Sequence, residues 1–120
     1  MGDYNKSFGA LGEEIACKYL VSLGYKIIEQ NYYIWGGEID VVASFKSEII
    51  FCEIKTRFDE NDVYLQELIS NKKKRTLIKT CRLWLLKHGC VDNDWRIDFI
   101  GIIMKGDRLE KLEHLKGAIW

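Results

Sequence analysis

GEIDVVASFKSEIIFCEIKTR, residues 37 to 57, decides the fold. Two runs rich in β-branched and aromatic residues flank Ser44–Glu48, a polar stretch suited to a tight turn. Side chains on a strand alternate faces. Glu38 and Asp40 are therefore expected on one face of the first strand, with Ile39, Val41 and Ala43 on the other. On the second strand Ile50, Cys52 and Ile54 form an apolar face. Ile49 and Phe51 occupy the opposite face, and Glu53 and Lys55 continue it. That face changes from core-like to charged within one strand. Unpaired charges at the end of a core strand are costly, so a structural role alone gives them little reason to be there.

An Asp and a Glu on paired strands supply hard oxygen ligands of the kind Mg2+ or Mn2+ takes. A lysine two residues after the Glu points the same way and can hold a water or balance charge on a phosphate. Twelve residues, 41 to 52, separate the two acids. This is the D-x(n)-E-x-K pattern of metal-dependent nucleases. The competing reading is a solvated strand end with a turn-proximal acid. The G-E-I-D strand ahead of the E-x-K strand weighs against it.

Working outward, residues 7–23 carry Phe8, Leu11, Ile15, Ala16, Tyr19, Leu20 and Leu23 at helical spacing, with Ser7 as N-cap and Gly24 just past the end. On a wheel of ~100° per residue, Glu13 falls at the margin of that apolar face and Glu14 well outside it. Glu13 is thus able to reach over the sheet, but the wheel alone fits an ordinary boundary residue as well. A first strand is expected over Tyr25–Tyr33, and Trp35-Gly36-Gly37 turns the chain into the hairpin.

Beyond Arg57, the stretch FDENDV reads as an acidic loop. A second helix is expected from Asn71 to His88, with Ser70 as N-cap and Gly89 as stop. Leu77, Ile78, Cys81, Trp84, Leu85 and His88 form its packing face. Its start is basic: Lys72, Lys73, Lys74 and Arg75, followed by Lys79 and Arg82. Cations at a helix N-terminus oppose the macrodipole. A nucleic-acid backbone nearby would account for them, and so would a solvated face. Trp95–Met104 is expected as a strand, with Arg96 and Asp98 on one face and able to pair. Arg108–Leu112 reads as a weaker edge strand, and Ala118-Ile119-Trp120 is apolar enough to pack.

A chain of 120 residues suits one domain, 1–120, and 48% hydrophobic residues suffice for a real core. A formal net charge of zero means that any contact with nucleic acid must rest on local patches. The four cysteines form no C-x-x-C pair, which argues against zinc and for reduced thiols. No apolar run reaches the ~20 residues of a membrane span. The first residues hold no apolar signal core, and Lys6 spoils a myristoylation match at Gly2. The expectation is a cytoplasmic protein with no membrane contact and no small-molecule cofactor.

The order helix, three strands, helix, two strands implies an α/β fold, a central mixed sheet flanked by helices. Gly12-Glu13-x-x-Ala16, Gly37-Glu38-Ile39-Asp40, Phe51-Cys52-Glu53-Ile54-Lys55-Thr56-Arg57, the Lys72–Leu85 helix ending T-C-R-L-W-L, and Arg96-Ile97-Asp98-Phe99-Ile100 together resemble the YraN family. The likeness spans nearly the whole chain, with the motifs in order. Cys52 stands where that family often has valine. The family resembles archaeal Holliday-junction resolvases of the PD-(D/E)xK nuclease superfamily. The resemblance implies a restriction-endonuclease-like three-layer sandwich. It implies Asp40 and Glu53 as metal ligands, Lys55 as catalytic lysine, and Glu13 as a helix-borne acid joining the metal site. Arg57 matches a family position too. Three functional classes follow. The first is an Mg2+- or Mn2+-dependent DNA endonuclease, gripping DNA through Arg57 and the basic helix, with a homodimer expected if the substrate is a symmetric junction. The second is a non-catalytic nucleic-acid-binding accessory protein of repair, recombination or uptake. The third is a protein-interaction domain.

Overall fold

The computed structural model describes residues 2–58 and 70–119, with side chains from residue 9 onward. Residues 59–69, which hold all of the expected acidic loop but Phe58, and the terminal Trp120 lie outside the described residues. The elements run α1 (Gly2–Ser22), β1 (Lys26–Ile34), β2 (Gly37–Phe45), β3 (Glu48–Arg57), α2 (Asn71–Lys87), β4 (Trp95–Lys105) and β5 (Arg108–Ile119). The strands form one mixed sheet in the order β1-β2-β3-β4-β5. The β3–β4 pair is parallel and the other three pairs are antiparallel. A parallel pair needs a long crossover, and α2 lies within it.

Both helices end by the same device. At α1 the Tyr25 N–H donates to Leu20 O and the Gly24 N–H to Val21 O, with Gly24 at φ +96°. At α2 the Cys90 N–H donates to Leu85 O and the Gly89 N–H to Leu86 O, with Gly89 at φ +67°. These crossed bonds satisfy the last carbonyls, and the left-handed residue between them favours glycine. Ser70 caps α2 as expected, its Oγ accepting from Lys73 N at 3.1 Å. Ser7 does not cap α1, because that helix already begins at Gly2 and Ser7 lies inside it. Lys46 and Ser47 make a two-residue turn with φ of +49° and +69°, the left-handed pair that matches strand twist.

The sheet separates two cores, one under each helix. Leu77, Cys81, Trp84 and Leu85 of α2 pack with Ile39, Val42, Ile49, Phe51, Ile97 and Phe99. Ala16 and Leu20 of α1 pack with Val41, Ala43, Ile50, Cys52, Ile54, Ile100, Ile102 and Met104. The expected two faces of β3 are as read. On β2 they are not. Ile39 joins the α2 side while Val41 and Ala43 join the α1 side, so strict alternation breaks at Asp40.

Strand β5 is the largest departure from the sequence expectation, running seven residues past Leu112. Leu109, Leu112 and Leu115 recur every third residue and give no two-residue period, and Gly117 sits at φ +61°. A buried polar clamp holds the strand in place instead. The Asp98 carboxylate accepts from Arg96 Nε at 2.9 Å and from the Gly117 N–H at 2.9 Å, and meets His114 Nε2 at 2.7 Å. Arg96 also donates to Glu48 at 2.7 Å and to the Tyr25 hydroxyl at 2.9 Å. Tyr19 of α1 closes the network on His114 Nδ1 at 2.9 Å. Burial alone would push the Asp98 carboxyl up, but His114, Arg96 and the Gly117 N–H hold it below the usual range. Arg96 and Asp98 thus pair with each other and with neighbouring elements at once.

Candidate active site at a fork in the sheet

The β2–β3 ladder runs from Phe45↔Glu48 to Val41↔Cys52 and stops there. Beyond that point Glu53–Arg57 pair with Phe99–Ile103 of β4, and Gly37, Glu38 and Ile39 pair with Ile34, Tyr33 and Tyr32 of β1. The two strands therefore part, and Asp40 stands in the fork. Its Oδ2 accepts the Ile54 N–H at 2.8 Å. A side chain takes a donor that the ladder leaves open, which satisfies the backbone and fixes the orientation of the carboxyl group.

Glu53 faces Asp40 from the other side of the fork. Both are buried, at 9% exposure for Asp40 and 4% for Glu53, so a solvated strand end is not what they form. Burial pushes the Asp40 carboxyl up to about 7. The Glu53 charge adds to this and the Ile54 N–H opposes it, with smaller contributions from Glu13 and Glu38. A buried carboxyl pressed upward beside a second acid is a candidate place for a cation. Among the described residues no three His, Cys, Asp or Glu side chains form a ready ligand set. A pair of carboxylates with waters nonetheless suits Mg2+, which commonly takes only one or two.

Lys55 and Lys73 balance Glu53, their ammonium groups 3.2 and 3.3 Å from its Oε1. Burial pulls the Lys55 ammonium down, yet it titrates above the ordinary lysine range because its contact with Lys73, the charge and hydrogen bond of Glu53, and Asp40 behind it together outweigh that burial. Lys73 comes from the first turn of α2. Of the basic cluster, it is the residue that this contact brings to the acids. Lys72, Arg75 and Lys79 stand exposed further round the helix and Lys74 is half-buried. Arg57 is half-buried at the end of β3, its guanidinium donating to Thr56 O at 3.2 Å.

Glu13 approaches from α1 and is half-buried. Burial raises its carboxyl and the charges of Glu38 and Glu53 add to that, while a hydrogen bond from Asn31 opposes them. The helix can lie this low because Gly12 rests on Thr56, where a Cβ would overlap the threonine hydroxyl. Gly37 makes the matching approach on the other face, against Thr80 of α2. Two glycine–threonine contacts thus seat both helices beside the fork.

Between β2 and α2 a cleft of about 340 Å³ opens, lined by Tyr33, Gly36, Gly37, Glu38, Glu53, Lys73, Thr76 and Leu77. Sequence reasoning missed Asn31, Tyr33 and Thr56. Asn31 sits at φ +53° inside a strand, a conformation asparagine tolerates better than most residues, and that was the one local signal available.

A family model, described as uncharacterised protein family UPF0102, matches residues 12–102. That span holds Glu13, Asp40, Glu53, Lys55 and all of α2. A UPF0102 protein of Geobacter metallireducens is 37% identical over 118 residues, covering 98% of this chain and 96% of the relative. One from Caldanaerobacter subterraneus is 33% identical over 115 residues, covering 94% of each chain. One from Clostridioides difficile is 35% identical over 108 residues, covering 90% of this chain and 95% of the relative. Matched from the helix-borne acid through the fork to β4, and at nearly full length by these relatives, the chain belongs to the UPF0102, or YraN, family.

Proposed function

We propose that the protein is a metal-dependent DNA endonuclease of the PD-(D/E)xK kind, built on a restriction-endonuclease-like sandwich. One observation carries the reading: the buried Asp40–Glu53 pair at the fork, with the Lys55 ammonium 3.2 Å from Glu53 Oε1. Asp40, oriented by the Ile54 N–H, and Glu53 would hold Mg2+ or Mn2+, and Glu13 would reach the ion directly or through water. The ion, when bound, supplies Lewis acidity at the scissile phosphate and acidifies a water. Lys55, beside Glu53, would orient the attacking water and offset charge on the phosphate. Lys73, Arg57 and the exposed Lys72, Arg75 and Lys79, with Lys74 beside them, position the backbone and carry no base specificity. A symmetric branched substrate would call for a homodimer.

A non-catalytic nucleic-acid-binding role in repair, recombination or uptake is the second reading. The absence of a ready three-residue ligand set among the described residues favours it. Among those residues no helix is long and apolar enough to cross a membrane, and we place both readings in the cytoplasm. The deciding experiment is cleavage of labelled single-stranded, duplex, flap and four-way-junction DNA with Mg2+ or Mn2+ at low salt. Cutting should fall by about 100-fold or more in Asp40→Ala and Lys55→Ala. Cutting that persists in both variants, or Mn2+ binding unchanged by Asp40→Ala, would remove the nuclease assignment.

A further inference from the structure

Trp35 is 100% exposed at the tip of the β1–β2 turn, and Tyr33, two residues before it, is 65% exposed. A single exposed aromatic side chain needs no explanation. Tyr33, however, lines the cleft that has Glu53 and Lys73 among its lining residues, and Trp35 directly precedes Gly36, which lines it too. Gly36 and Gly37 make the same wall without side chains, and a side chain at Gly36 would meet open space. A flat group can therefore approach the backbone at Gly36, whereas Thr80 already covers Gly37. The acids in the cleft call for a cation, and Lys73, with the basic face of α2 beyond it, calls for an anion. Aromatic faces beside a phosphate-binding edge are the two halves of a nucleotide site.

We infer that this cleft takes an unpaired nucleotide, its base stacked on Tyr33 with Trp35 at the mouth, and that the substrate class is DNA with a single-stranded stretch. The inference rests on the reading of the fork as a DNA site and adds which DNA. In a fully paired duplex or junction each base already stacks on its neighbours and offers neither aromatic a free face. A strand end, flap or gap does. Stacking also tolerates every base, in keeping with a site whose cations read only phosphate.

The test is binding with Ca2+ in place of Mg2+, followed by tryptophan fluorescence and by anisotropy of labelled oligothymidine, blunt duplex and fully paired four-way junction. Oligothymidine should quench fluorescence and bind about tenfold tighter than the duplex. Trp35→Phe should abolish most of the quench and leave affinity nearly unchanged. Trp35→Ala and Tyr33→Ala should each weaken oligothymidine binding about tenfold and leave duplex binding alone. Both side chains are exposed, so circular dichroism should match the parent. Equal affinity for single strand and duplex, or Trp35→Ala and Tyr33→Ala variants that bind as the parent does, would overturn the inference, as would no DNA binding at all. Metal-dependent cutting of paired DNA with no effect of Trp35→Ala would leave the nuclease standing and remove this proposal. Single-strand binding that depends on Trp35, without any cutting, would do the reverse.

Discussion

Asp40→Asn is expected to stabilise the metal-free protein at alkaline pH and to do almost nothing at acid pH. In the fold Asp40 gives up its proton near pH 7 rather than near 3.8. A carboxyl whose pKa is raised on folding holds a proton that the unfolded chain has lost, so stability declines as pH rises between those two values. Each unit is 1.36 kcal/mol, so the full penalty above pH 7 approaches about 4 kcal/mol. Burial is the larger cause and Glu53 shares the repulsion that adds to it, which brings the expected gain to about 2–4 kcal/mol at pH 8 and below about 1 kcal/mol at pH 4. Asparagine keeps an oxygen for the Ile54 N–H and nearly the same volume, so packing should change little. Urea unfolding of both proteins at the two pH values measures the difference. Saturating Mn2+ should then stabilise the parent by about 2–3 kcal/mol at a hundredfold excess over its dissociation constant, and the variant by much less. A variant no more stable than the parent at pH 8 would refute the claim that burial and Glu53 together press on Asp40. Equal stabilisation of both by Mn2+ would refute its place as a ligand.

Two further outcomes follow from packing and from the polar clamp. Gly12→Ala should cost about 1–3 kcal/mol through overlap with Thr56, and Thr56→Ala in the same chain should recover most of it, read by thermal unfolding. Asp98→Ala should cost about 2–4 kcal/mol, because it leaves the Gly117 N–H and His114 Nε2 without their partner and Arg96 with Glu48 as its one remaining acid among the described residues. Because the Asp98 carboxyl lies below its usual range in the fold, its contribution is present above the unfolded pKa and lost as pH falls through the folded one. The gap between parent and Asp98→Ala should therefore narrow on acidification in urea melts.

Much of the architecture was legible in local pattern. The period of α2, with Ser70 before it and Gly89 after it, is a property of a few consecutive residues, and it marks the same helix in the chain and in the fold. The two-residue period of β3 likewise placed Glu53 and Lys55 on the face away from Ile50, Cys52 and Ile54, and their ion pair at 3.2 Å follows from that spacing. Leucines three apart concealed most of β5, because what holds that strand is Asp98 reaching His114 and the Gly117 N–H from a neighbouring strand.

The sequence by itself determined which side chains lie on which face of β3 and α2, because neighbours along the chain set those directions. Only the tertiary structure decided that they form a site. Strand β1 draws Gly37–Ile39 one way and β4 draws Glu53–Arg57 the other, and the fork they open buries Asp40 against Glu53. Gly12 and Gly37 then admit one helix on each face close beside it. Burial, close approach and the repulsion of two carboxylates are relations between residues far apart in sequence, and no local period encodes them.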